Sequence, residues 1–208
     1  MRKQATPSQP PSCVQALPDS QALRPDKGTV SWEVTGHGRA VVLFLDPLAP
    51  KQTWESAISN WAQHFQVFVP SIMVPTAGDA LQLADLCARL PKQPLYVIGL
   101  NGGCPMACQL AMQWPQLSGL VLLDAAGHGC TLPSVIPSTD IFSNAAPWTQ
   151  LNVPILSIWH QAVSQTDPTE AAIALAQNHE QHEWMVIPGA PDTRTIGQII
   201  VRWLQSHA

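Results

Sequence analysis

Residues 95–115, LYVIGLNGGCPMACQLAMQWP, constrain the fold more than any other stretch, because an apolar run ends in glycines and passes directly into a helix-period pattern. Gly99-Leu100-Asn101-Gly102-Gly103 has the spacing of G-x-S-x-G, in which a strand turns sharply into a helix and presents a strained residue at its apex. Glycines two residues on either side relieve crowding there. The apex itself needs positive φ, which Asn tolerates better than nearly any other non-glycine residue. The geometry is therefore expected at Asn101 without its usual chemistry. A side-chain amide has no readily ionised proton and is a poor nucleophile, so activation by a histidine has nothing to act on.

The rest of the chain supplies the sheet that such a turn requires. Thr29 to Val34 reads as a strand, Gly36-His37-Gly38 as a turn, and Ala40 to Leu45 as a continuous apolar strand of the kind buried in a parallel sheet. These two strands are expected side by side. Trp54, Ile58, Trp61 and Phe65 recur at helix spacing, Gln66 to Val69 forms the next strand, and Leu83, Leu86 and Leu90 mark a second helix. After the elbow helix come strands at Gly119 to Leu123, Ile155 to Trp159 and Trp184 to Ile187. A terminal amphipathic helix carries Ile196, Ile199, Ile200, Trp203 and Leu204. The alternation predicts an α/β fold with a doubly wound, mostly parallel sheet and right-handed crossovers.

Residues 1–27, rich in Pro, Gln and Ser, read as a mobile arm, and 28–208 as one domain. Within it, Ala126 to Gln150, with Pro133, Pro137 and Pro147, reads as a lid loop over the carboxyl edge of the sheet. Asp167-Pro168-Thr169-Glu170 reads as a helix start.

Charge and cysteine usage narrow the partners. A net charge of −4 with no Lys or Arg cluster argues against nucleic acid and anionic membrane. No apolar run approaches the roughly 20 residues that span a bilayer. Five cysteines, Cys13, Cys87, Cys104, Cys108 and Cys130, are odd in number and lack metal-site spacing, and no apolar segment follows Met1-Arg2-Lys3. A cytoplasmic protein with reduced thiols, no metal and no cofactor is expected.

From Gly28 onward the chain resembles the α/β-hydrolase-fold family, in its small esterase and BioH-like form, without a cap domain. Asp46-Pro47-Leu48 falls where that family has His-Gly-x, Trp54 matches a frequent Trp of the next helix, and the Asn101 turn stands at the nucleophile elbow. Residues 120–125, LVLLDA, and 153–156, VPIL, resemble the strands that follow. The resemblance implies a Ser-His-Asp triad, and the chain departs from it at each member. Asn101 takes the nucleophile position, and Asp192 of Pro188-Gly189-Ala190-Pro191-Asp192 takes the histidine position. His160, Gln161, Ala162 and Val163 offer no carboxylate where the acid should follow its strand.

What the resemblance leaves is a binding apparatus. The amides of Gly102 and Leu48 stand where the family forms its oxyanion hole. Asp46 and Asp192 would place negative charge near that cavity, unless Asp46 only bonds loop amides. Asp124 stands where some members carry an alternative acid, and His128 of His128-Gly129-Cys130 could overhang the elbow as its partner. Cys104 and Cys108 read either as a thiol activated at a helix start or, better, as small residues that let helix and sheet approach. His179 and His182, beside Glu180 and Glu183, read as a solvated helix end. Trp148 is a candidate pocket residue.

Two functions follow. One is a catalytically degenerate protein that binds a small molecule or a partner protein. The other is an active hydrolase, esterase-like, or a lyase with a non-standard site built on Asp46, Asp192, His128 or Cys104.

Overall fold

A computed structural model describes residues 31–47, 49–71, 79–124, 151–160, 180–189 and 192–208. The expected arm, the lid loop, the helix start at Asp167, and Leu48, His128, Trp148 and His179 lie outside those residues. The described elements run β1 (Ser31–Thr35), β2 (Arg39–Phe44), a 3-10 turn (Lys51–Trp54), α1 (Glu55–Trp61), β3 (Phe65–Ser71), α2 (Asp79–Arg89) and β4 (Leu95–Leu100). A 3-10 turn (Asn101–Gly103), α3 (Cys104–Gln113), β5 (Leu117–Leu123), β6 (Ile155–His160), β7 (His182–Ile187) and α4 (Thr193–Ser206) complete them.

Seven strands form one sheet in the order β1-β3-β2-β4-β5-β6-β7. Every neighbouring pair is parallel except β1 with β3. The doubly wound, mostly parallel architecture expected from the alternation of strands and helices is present. Continuous apolar runs make the central strands, since β2 from Ala40, β4 and the second half of β5 are buried on both faces.

Alternation along each strand sorts these residues into two cores. Val42, Val97, Leu120 and Trp159 pack on the face covered by α3, with Leu110 and Ala107. Val41, Ile98, Val121 and Ile158 pack on the opposite face, with Trp61 of α1 and Ile200 and Leu204 of α4. Burying one aliphatic side chain of this size contributes about 1.5–3 kcal/mol, so two cores on a sheet of this length set the fold. The α1 and α4 helices lie in direct contact. A Cβ on Gly197 would stand 3.0 Å from Cβ of Ala57, and Trp61 Nε1 donates to the Gly197 carbonyl at 2.9 Å.

Three local expectations are corrected. The first two strands are not neighbours, because β3 inserts between them. Gly36 carries the connection over the start of β3, where a Cβ would lie 2.3 Å from the Phe65 carbonyl oxygen. Helical spacing carried too far at Phe65, which opens β3; α1 stops at Trp61 and its last turn closes through Ala62 N–H to the Ile58 carbonyl. His182 and Glu183 belong to β7 rather than to a helix end, and His182 Nε2 lies 2.9 Å from Oγ of Ser157 on β6.

Candidate functional site at the carboxyl edge

The elbow forms as the glycine spacing requires. A Cβ on Gly99 would stand 2.6 Å from Cα of Cys104, and one on Gly103 would stand 2.3 Å from the Phe44 carbonyl oxygen. Helix α3 can leave β4 this tightly only because neither position has a side chain. Asn101 sits between them with φ of 49°. Its side-chain oxygen is buried and has no hydrogen-bond partner among the described residues.

The thiols act as packing groups. Cys104 Sγ is buried 3.2 Å from the Gly99 carbonyl and 3.3 Å from the Leu123 carbonyl, tying the start of α3 to the ends of β4 and β5. Burial pushes the Cys108 thiol up to about 12. A thiol in that state is mostly protonated and inert.

Asp46 is buried and lies against the elbow. Its Oδ1 is 2.9 Å from where a Cβ of Gly102 would be. A cavity of about 200 Å³ opens beside this contact, with Phe44, Asp46, Val69, Gly102, Gly103 and Met106 in its wall. Glu33 and Lys51, which form an ion pair, also line it. A carboxylate beside the Gly102 backbone changes the electrostatics of the oxyanion position, since an incoming anion would meet like charge.

Asp192 does something different from what its place in the resemblance implies. It is the N-cap of α4, and its Oδ1 accepts the Thr195 backbone N–H at 2.6 Å. That hydrogen bond holds its carboxyl below the usual carboxylate range, helped by the Thr195 hydroxyl and the Arg194 charge. Asp192 is solvent-exposed and absent from the cavity wall, so its negative charge is not part of that site.

The pairing that the residues alone did not reveal is Asp124 with His160. Leu100, Leu123 and Ile158 stand in one row across β4, β5 and β6, so Asn101, Asp124 and His160 emerge from three adjacent strand ends. Asp124 turns out of β5 with φ of 48°, held by its backbone N–H to the Ile158 carbonyl at 2.9 Å. Its Oδ2 is 2.5 Å from His160 Nδ1, and its Oδ1 accepts the His160 backbone N–H at 2.7 Å. Nδ1–H donated to a carboxylate fixes the tautomer that leaves the lone pair on Nε2. That Nε2 is buried and has no hydrogen-bond partner among the described residues. A signal for this pair was present in the sequence: two adjacent apolar strands, LVLL and ILSIW, each end on a polar residue, Asp124 and His160.

No protein-family model and no curated protein matches the chain. Solved structures do. A putative lipase from Acinetobacter baumannii is 14% identical, with a TM-score of 0.67, covering 91% of this chain and 91% of its own. An α/β hydrolase enzyme from the metagenome of lagoon sediments at Mar Chica, Morocco, is 14% identical, with a TM-score of 0.66, covering 88% of this chain and 97% of that one. A carboxylesterase from Bacillus subtilis is 11% identical, with a TM-score of 0.64, covering 91% and 89%. At such identities the likeness is one of fold. The chain has the α/β-hydrolase fold.

Proposed function

We propose that this protein is a catalytically degenerate member of the fold that binds a small molecule at the carboxyl edge of its sheet. The observation that carries the reading is Asn101: an amide at the nucleophile apex, in the strained conformation, with its oxygen unpartnered among the described residues. Two further features support it. Asp46 sets a carboxylate against Gly102, and the candidate for the missing histidine, Asp192, caps α4 in solvent. A triad acts as a unit, so an apex without a hydroxyl removes acyl-enzyme chemistry whatever base remains. A partner protein as the ligand and a cytoplasmic location belong to the same proposal. Supporting the location, Cys87 and Cys108 carry free thiols. No helix among the described residues is long and apolar enough to cross a membrane.

One observation favours the second reading, an active enzyme with a non-standard site. Asp124 and His160 form an oriented acid-base pair on the strand ends beside the apex. Such a base needs neither Asp192 nor His128.

The deciding experiment is hydrolysis of p-nitrophenyl esters, run beside fluorophosphonate labelling and intact-mass analysis. The mass is needed because Asn101-Gly102 is a deamidation-prone pair, and the resulting Asp would be a carboxylate nucleophile. Undeamidated protein is expected to be unlabelled and to hydrolyse at the buffer rate. Turnover well above that rate, abolished by Asn101→Ala or by His160→Gln, would establish the second reading instead.

A further inference from the structure

We infer that the cavity between the ends of β2 and β3 and the elbow binds a small primary ammonium ion carried on an apolar body, with the Asp46 carboxylate as its counter-ion. The inference rests on the reading that the carboxyl edge binds a small molecule without turnover, and it names the chemistry of that molecule.

The cavity supplies an apolar floor and a buried charge. Phe44, Val69 and Met106 line it and are almost fully buried, while Asp46, in the same wall, is 8% exposed. The Asp46 carboxyl lies against the elbow because Gly102 has no side chain; a Cβ there would stand 2.9 Å from Oδ1 and 3.2 Å from Cγ. A carboxylate accepts about four hydrogen bonds, so bonds to neighbouring protein groups leave acceptor capacity for a ligand. An apolar cavity of about 150 Å³ takes up benzene. One of about 200 Å³ therefore has room for a six-membered ring bearing a carbon and a nitrogen.

Charge selects the group at the end of that body. Glu33 and Lys51 form an ion pair whose side chains are 47% and 36% exposed, so the pair marks the solvent side of the cavity and its two charges cancel there. Asp46 is left as the net charge of the lining. A carboxylate ligand would meet like charge, and a neutral ligand gains no ion pair. An ammonium carries three rotatable donors on a compact charge, so it can pair with Asp46 without a preset fork geometry. Phe44 and Met106 then receive the ring, since an aromatic edge and a thioether both pack favourably against an aromatic ligand.

Three probes of one size test this by calorimetric titration of the full chain at pH 7: benzylammonium, benzyl alcohol and benzoate. Benzylammonium is expected to bind about tenfold more tightly than benzyl alcohol, the scale of a hydrogen bond to a charged group, and benzoate to bind most weakly. Asp46→Asn should bring benzylammonium to the affinity of benzyl alcohol. Lys51→Gln, at a partly exposed position, frees the Glu33 carboxylate and should tighten benzylammonium roughly threefold while leaving benzyl alcohol unchanged. If Asp46→Asn does not fold, Lys51→Gln and the wild-type series decide. Binding of none of the probes, benzoate or benzyl alcohol binding as tightly as benzylammonium, or a benzylammonium affinity that Lys51→Gln or folded Asp46→Asn leaves unmoved overturns the inference. Ester turnover by the wild-type protein would instead overturn the reading beneath it, and the titrations register separately from that outcome.

Discussion

Asp124 grips His160 with both carboxylate oxygens, one on the imidazole Nδ1 at 2.5 Å and one on the backbone N–H at 2.7 Å. The two hydrogen bonds differ in purpose. The backbone bond ties the end of β5 to the end of β6, while the ring bond fixes a tautomer that no structural role requires. Each hydrogen bond to a charged group contributes about 1.5–3 kcal/mol, so Asp124→Ala is expected to lower unfolding free energy by roughly 3 kcal/mol in urea titration. His160→Gln keeps the backbone bond and should lose about half as much. Equal losses would mean that the ring bond alone holds the strand ends together.

Restoring a hydroxyl at the apex should not restore catalysis. Asn101→Ser provides the oxygen, but among the described residues no hydrogen-bond partner meets the Asn101 side-chain oxygen, and Asp46 stands against Gly102. We expect p-nitrophenyl acetate hydrolysis by Asn101→Ser to stay at the buffer rate. Adding Asp192→His should bring nothing further, because position 192 is an exposed helix cap. Activity in the double variant at ten times that of the single one would show that residue 192 reaches the apex.

The elbow should be intolerant of any side chain at Gly103. A methyl group there would meet the Phe44 carbonyl oxygen at 2.3 Å and its carbon at 2.6 Å, both backbone atoms of a central strand that cannot swing aside. Overpacking of this kind costs about 1–3 kcal/mol and more where backbone must move. Gly103→Ala is therefore expected to lower the melting temperature by several degrees or prevent folding, whereas Gly189→Ala, with nothing within 4 Å of its Cβ, meets only the strain of its φ of 74°. A Gly103→Ala protein as stable as wild type would contradict the close approach of α3 to β2.

Capping by Asp192 carries a pH signature. Its carboxyl is lowered by the Thr195 N–H, so the folded state binds its proton less tightly than the unfolded chain. The stabilisation is then complete above the unfolded value of about 3.9 and disappears as pH falls through the lower folded value. Asp192→Ala should melt at a lower temperature than wild type at pH 7, with the difference shrinking in acid. A difference constant from pH 7 to pH 2 would remove the charged cap as its cause.

Thiol reactivity separates packing cysteines from activated ones. Burial raises both Cys87 and Cys108, the latter to about 12. In the native protein at neutral pH, mass spectrometry after iodoacetamide should find Cys108 unmodified and Cys87, which is half-buried, labelled slowly. Rapid native labelling of Cys108 would show that α3 opens from the sheet.

How much of this was legible in advance depends on how far apart the interacting residues lie in the chain. Local spacing alone located the elbow, because strand, glycines and helix are contiguous and the positive φ of Asn101 is a property of a few neighbouring residues. Apolar periodicity likewise placed the central strands and the two helices on each side of them, since burial imposes its pattern within one element. Strand adjacency was not local: the chain order put β1 beside β2, and only the packing of Gly36 over Phe65 placed β3 between them. The same reason hid the pair at the site. Asp124 and His160 are 36 residues apart, and His160 looked like a missing carboxylate until the parallel register of β5 and β6 brought both strand ends level. Sequence thus determined which chemistry was absent at the apex, a question of one residue's identity. Which polar groups face one another across the sheet edge was decided by tertiary register, because hydrogen bonds between strand ends depend on distances that composition and spacing do not contain.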